Sequence, residues 1–343
     1  MNRKNLPGTH IVFLGQLNTE YIITPTGVAK NGVLGGDALY AACGARLWTD
    51  GIGILAKVGE NFPIEELGPF SEHGIMSDGV AISSKYIEDK RFFSYSRSLH
   101  AITHSPATHY INAKLDFPKE LLSLSLENSL DAPTPKTKQP DPLRLSDVPE
   151  NYLYAKGLYN AGPTLDEQLQ LSTYFNHANA SILTCRLTDA SLEGVDTDRL
   201  QQLLHHQTIL FTNSQQLRKL WWFTHLDVWQ LAARFLDLGC EIIILESGKE
   251  GYLILERSTQ QKWVIPRYPN KPADPTGMAA AFDGGATAGY YLTMDPVESA
   301  IFGAVSASIC ADGSGAFYML QSHPELANTR LRNLRGKIRK YKG

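Results

Sequence analysis

Short apolar runs recur along the chain at Ile11–Leu14, Ile52–Val58, Tyr152–Leu158, Ser181–Thr184, Thr208–Thr212 and Glu241–Leu245. Each has the length of a strand, and continuous apolar character marks a strand buried on both faces. Between the later runs, Leu165–Phe175, Thr197–His205 and Val228–Leu238 carry apolar residues at helical spacing, so strand and helix alternate. That order predicts an α/β fold, a doubly wound, mainly parallel sheet covered by helices. Lys85–His100 alternates instead, with Phe93 and Tyr95 separated by Ser94, as a strand with one wet face does. Together with Thr19–Val33 it predicts a small β-sheet lid over the core.

Two segments break the rhythm. Residues 131–147 hold Pro133, Pro135, Pro140 and Pro142 among charges, which predicts an exposed, mobile insertion within a single domain spanning 1–343. Beyond Pro324 a basic helix is expected over 325–343, with Arg330, Arg332, Arg335, Lys337, Arg339, Lys340 and Lys342. It reads either as a solvated helix end or as a contact for an acidic or phosphate-rich partner.

Charge and cysteine usage narrow the function classes. A formal net charge of -3 gives no global attraction to nucleic acid or anionic membrane. No apolar run approaches the ~18 residues of a membrane span, and the polar start of the chain has no signal-peptide pattern. Cys43, Cys185, Cys240 and Cys310 are scattered, without zinc-ligand spacing, and read as reduced thiols of a cytoplasmic protein. His100, His104, His109, His205 and His206 lack a metal motif and read as surface or packing residues. Trp221, Trp222 and Trp229 read as core or interface aromatics, with a sugar-stacking platform as the alternative.

The chemistry concentrates in Asp274-Pro275-Thr276-Gly277-Met278-Ala279-Ala280-Ala281-Phe282-Asp283-Gly284-Gly285, a loop running into a helix. Small residues there either serve close packing or let backbone N–H groups meet an anion at a helix N-terminus. Glu246-Ser247-Gly248-Lys249-Glu250-Gly251 reads alone as a hairpin turn between Ile242–Leu245 and Tyr252–Leu255.

The first of these segments resembles the second signature of the PfkB family of carbohydrate kinases, D-T-x-G-A-G-D followed by x-F-x-G-G, with Asp274, Thr276, Gly277, Phe282, Gly284 and Gly285 in matching places. The first signature is similar to Gly35-Gly36-Asp37-Ala38-Leu39-Tyr40, and Lys57-Val58-Gly59-Glu60-Asn61 resembles the family's K-V-G-x-D turn. Asn213-Ser214-Gln215-Gln216 resembles its N-x-x-E motif, with Gln216 in place of the acid. The resemblance runs from about Ile11 to Phe317 and implies a ribokinase-like fold. It implies ATP and Mg2+ as cofactors and a small sugar-like substrate as partner, with no nucleic acid or membrane.

By that resemblance, Glu20, Gly35, Gly36, Asp37 and Tyr40 line the acceptor pocket. Thr276, Gly277, Met278 and Ala279 form the anion hole, and Asn213, Gln216, Gly248, Gly251 and Asp274 serve the nucleotide and its metal. No direct metal ligand is identifiable. The family's catalytic base is an Asp at the position of Ala280, and a methyl at Ala279 costs about 1 kcal/mol if that position needs a positive φ. Asp283, one turn on, is either a displaced base or an ordinary helix carboxylate.

Three functional readings follow. The chain is a PfkB-like kinase that transfers phosphate from ATP to a sugar or nucleoside-like hydroxyl, or a pseudokinase that keeps the pocket for binding or scaffolding. The third is a homodimer whose lid has become its interface.

Overall fold

The computed structural model describes residues 8–122, 124, 141–178, 180–192, 195–220 and 225–341. The larger sheet contains β1 (Ile11–Leu14), β4 (Ile52–Val58), β5 (Ile75–Ile82), β8 (Gly157–Asn160), β9 (Ile182–Arg186), β10 (Ile209–Asn213) and β11 (Ile242–Ser247). It is completed by β12 (Gly251–Glu256), β13 (Lys262–Ile265) and β14 (Arg339–Lys340). Their spatial order is β14, β13, β12, β11, β10, β9, β8, β1, β4, β5. Pairing is parallel from β5 through β11 and antiparallel from β11 to β14. A smaller sheet orders β3 (Ala29–Gly35), β2 (Asn18–Ile23), β6 (Lys90–Tyr95) and β7 (Ala101–Ile102), in the region expected for the lid.

Alternate residues of the parallel strands face opposite layers. Ile11 and Phe13 join a cluster with the helices Asp37–Arg46, Met278–Thr293 and Pro296–Cys310, while Val12 and Leu14 face Leu171 and Phe175 of the helix Leu165–His177. Burial on both faces is why the strands read as unbroken apolar runs.

The chain leaves β1 toward β4 and β5 on one side, then returns through β8, β9, β10 and β11 on the other. The order therefore reverses between β1 and β8. In open α/β sheets a ligand crevice lies beyond the carboxyl ends of the strands at such a reversal. Arg186, Asn213 and Ser247 are the last residues of β9, β10 and β11, and Glu20 lies in β2, the strand that follows β1.

Three expectations change in detail. Tyr152 belongs to a 3-10 turn, Glu150–Tyr154, and the strand begins at Gly157; the Tyr152 ring packs across the sheet on Gly53 of β4 and Gly79 of β5. Residues 131–140 of the proline-rich insertion lie outside the described residues, while its described end is docked: Asp141 accepts from Ser83 at 2.7 Å and Leu143 is buried. The basic helix stops at Arg335, and Arg339–Lys340 adds a strand to the sheet edge beside β13. Arg330 within it turns inward to Asp312, at 2.6 Å. Trp221 and Trp222 lie outside the described residues; Trp229 is buried, with Lys262 over its ring. The four cysteines are buried free thiols, and no described helix is long and apolar enough to cross a membrane.

Candidate functional site

Two helices carry the cleft, and glycines let them touch. A Cβ on Gly284 would fall 1.8 Å from the carbonyl oxygen of Ala41, and one on Gly44 would fall 2.3 Å from that of Ala281. The helix Asp37–Arg46 is thus seated backbone to backbone on the glycine-rich helix Met278–Thr293.

The loop ahead of the second helix is built by Asp274, whose Oδ1 accepts from the Thr276 N–H at 2.9 Å and the Thr276 hydroxyl at 2.7 Å. Asp274 Oδ2 is buried without a partner among the described residues. Gly277 then caps the helix in the left-handed region, φ 76°. That conformation favours glycine. Ala279 lies inside the helix and is not among the positive-φ residues, so its methyl brings no backbone strain. Gly277, Met278 and Ala279 are partly exposed, whereas Ala280 is buried.

Tyr40 and Tyr95 crowd this loop. The Tyr40 ring lies where a Gly277 Cβ would be, 2.1 Å from its Cδ1, and the Tyr95 hydroxyl, brought by the lid strand β6, is 3.1 Å from Thr276 Oγ1. Tyr40 also donates to Glu20 Oε2 at 2.9 Å, while the Gly36 N–H donates to Oε1 at 3.0 Å. Gly35 has to lack a side chain, since a Cβ there would reach the Glu20 carboxyl at 2.2 Å.

Glu20 is buried, and burial pushes its carboxyl from 4.5 up to about 8 against the opposing effect of those two donors. The folded state therefore prefers a protonated Glu20. That contribution is complete below about pH 4.5 and is lost as pH rises through about 8. Thermal unfolding followed from about pH 5 to about pH 9 should show a falling midpoint in the native chain and a flatter profile in Glu20→Gln. Equal slopes in both would remove Glu20 as the cause.

Asp283 is fully buried. Arg186 grips it with two nitrogens, Nη2 at 2.6 Å from Oδ1 and Nε against Oδ2, and the Tyr159 hydroxyl donates to Oδ2 at 2.9 Å. Burial pushes the carboxyl up to about 6, held from going higher first by Arg186 and then by Tyr159, and the carboxylate in turn raises Arg186 despite its own burial. The pair is ionised at neutral pH. As counter-ion to Arg186, Asp283 has no free oxygen directed at a ligand.

On the nucleotide side, Asn213 Oδ1 accepts from the N–H groups of Gln215 and Gln216 at 3.0 and 2.9 Å, and Gln216 Oε1 accepts from Thr212 at 3.2 Å. Glu246 is paired with Arg267, whose guanidinium lies 5.5 Å over the Tyr252 ring, and Tyr252 stacks on Phe282 at 3.8 Å. Asn213, Gln216 and Glu246 thus each have a side-chain oxygen engaged, while Asp274 Oδ2 has no partner among the described residues. No group of three or more His, Cys, Asp or Glu among the described residues could hold a metal ion.

Gly248 and Gly251 have φ of 46° and 98°, forming the turn between β11 and β12. Beside it opens a cavity of about 620 Å³ lined by Gly248, Tyr252, Pro275, Met278, Ala279 and Ala304, with Tyr95 and Leu99 of the lid region at its mouth. A larger, shallower groove of about 1030 Å³ lies between the helices Leu165–His177 and Thr197–Leu204 and shares no residue with these motifs.

The structure thus brings Glu20, Gly35, Gly36 and Tyr40 to the loop Asp274–Gly277, and Gly248, Met278 and Ala279 to one cavity. Arg186, Tyr159, Tyr95 and Arg267 were not picked out by sequence reading. A lone arginine ending the buried strand Ile182–Arg186 was the signal available for the first.

Solved structures share this architecture. A nucleoside kinase from Methanocaldococcus jannaschii, described as an archaeal member of the ribokinase family, superposes with a TM-score of 0.65 at 17% identity, over 95% of this chain and 98% of that one. A fructokinase from Xylella fastidiosa with bound ATP gives 0.68 at 13% identity, over 95% and 99%. The fold is that of the ribokinases. Residues 148–322 match the pfkB family of carbohydrate kinases, and the chain belongs to that family. A cytidine kinase from Thermococcus kodakarensis is 24% identical over 283 residues, 82% of this chain and 88% of that protein.

Proposed function

We propose that the chain binds ATP in the cavity beside Gly248 and transfers its terminal phosphate, slowly, to a hydroxyl of a sugar- or nucleoside-like acceptor held near Glu20, Gly36 and Asp37. The observation that carries this reading is the meeting of that cavity, through Met278 and Ala279, with the left-handed Gly277 mouth of a helix of the family's glycine-rich type. N–H groups at a helix start favour phosphate. Glycine-mediated contact with the helix Asp37–Arg46 keeps the acceptor side within reach.

Slowness follows from Ala280. Phosphoryl transfer is chiefly positioning and charge stabilisation, and a positioned base adds about 10²- to 10⁴-fold. A non-catalytic binding role is the second reading, favoured by Ala280, by Gln216 and by the Tyr40 ring over Gly277. In that role the lid contact of Tyr95 with Thr276 would report occupancy without turnover.

Thermal-shift titration with ATP and magnesium, joined by cytidine, ribose or fructose, separates the two when run beside an ADP-release assay. The kinase reading expects a nucleotide-dependent rise in melting temperature and ADP release that requires an acceptor. A rise with no ADP under any of the three acceptors selects the binding role. No response to nucleotide contradicts both.

A further inference from the structure

Most acidic groups around the cleft are already committed. Glu20 holds Gly36 and Tyr40, Asp274 holds Thr276, Asp283 holds Arg186, and Glu246 holds Arg267. Asp37 differs: it is exposed, and among the described residues it makes no ion pair or side-chain hydrogen bond.

Its position is fixed by the helix register. Tyr40 lies on Gly277 and Gly44 on Ala281, the same four-residue step on both helices, so the two run side by side in the same direction. Ala41 meets Gly284. One turn back from that pair on each helix stand Asp37 and Ala280. Arg186, which clasps Asp283 one turn beyond Ala280, is also within electrostatic reach of Asp37. The first two contacts set Asp37 level with Asp274 and the third sets it level with Ala280, so Asp37 stands on the facing helix beside the turn from Asp274 to Ala280.

Resting on the kinase reading above, we infer that Asp37 is the proton acceptor for the substrate hydroxyl. The hydroxyl O–H breaks and its proton passes to the Asp37 carboxylate. The oxygen's electron pair forms a bond to the terminal phosphorus of the nucleoside triphosphate. The bond from that phosphorus to the bridging oxygen breaks, and nucleoside diphosphate leaves with the electron pair.

The surroundings suit the task. The crowding of protein around this accessible carboxyl raises it above its ordinary range, while Arg186 and Arg91 act in the opposite direction. Glu20 and Tyr159 also lie within its electrostatic reach. A carboxylate is the active form, so turnover should fall as pH drops through the raised value. A merely structural Asp37, a first-turn carboxylate favoured by the helix dipole, predicts no such limb.

The test is Asp37→Asn in the full-length protein, with ATP, magnesium and cytidine, ribose or fructose. Expected are an unchanged nucleotide-induced thermal shift, ADP release lowered about 10²-fold, and loss of the acidic limb of the pH profile. In an Ala280→Asp background the same substitution should change turnover less than about threefold, since the base is then supplied from the other helix. Native turnover in Asp37→Asn, or a native chain that binds nucleotide but releases no ADP with any acceptor, overturns the assignment. Absence of nucleotide binding instead sinks the kinase reading on which it rests.

Discussion

Ala280→Asp should raise acceptor-dependent ADP release by about 10-fold to 10²-fold over the native chain. A positioned base supplies up to about 10⁴-fold, and the rise is smaller than that because Asp37 already supplies about 10²-fold of it in the native chain. Residue 280 is in the first turn of the helix Met278–Thr293, where the dipole favours a carboxylate. The side chain would also enter a buried site, and a folding check by circular dichroism belongs with the assay. Unchanged ADP release in a folded Ala280→Asp protein would mean that the acceptor does not sit in front of this turn.

Arg186→Met carries the largest expected loss of stability. Its removal strands the fully buried Asp283 carboxylate, with the Tyr159 hydroxyl as the remaining partner. Breaking a buried ion pair from one side costs about 3–5 kcal/mol, whereas replacing both partners by apolar groups is often close to neutral. Denaturant unfolding of Arg186→Met should show that loss, and the double variant Arg186→Met with Asp283→Leu should recover most of it. A single variant within about 1 kcal/mol of the native chain would show that the pair is not the anchor described here.

Much of the architecture was legible in the sequence because buried parallel strands announce themselves: Ile52–Val58 is apolar but for Lys57, and the run coincides with the strand. Tyr152 misled, since an aromatic that packs across strands looks like one within a strand. The glycine-rich segment 274–285 was legible as a loop entering a helix, and the positive φ at Gly277 agrees with its small residues. Partnerships across the fold were not legible. Nothing local to Asp283 discloses that Arg186, 97 positions earlier, takes both its oxygens. Asp37 reads in the sequence as one more acceptor-pocket residue, and only the contact of two helices brings it beside the turn from Asp274 to Ala280. Long-range pairing of this kind is a property of topology, which spacing along the chain does not carry.

The account stands most directly on where a nucleotide's terminal phosphate goes. A crystal structure of the full chain with a non-hydrolysable ATP analogue and magnesium should place the base-bearing end in the cavity by Gly248 and Ala304. The terminal phosphate should then lie on the backbone N–H groups of Gly277 to Ala280, with Asp37 facing it across the cleft. A nucleotide bound elsewhere, or a terminal phosphate turned away from that helix start, would contradict it.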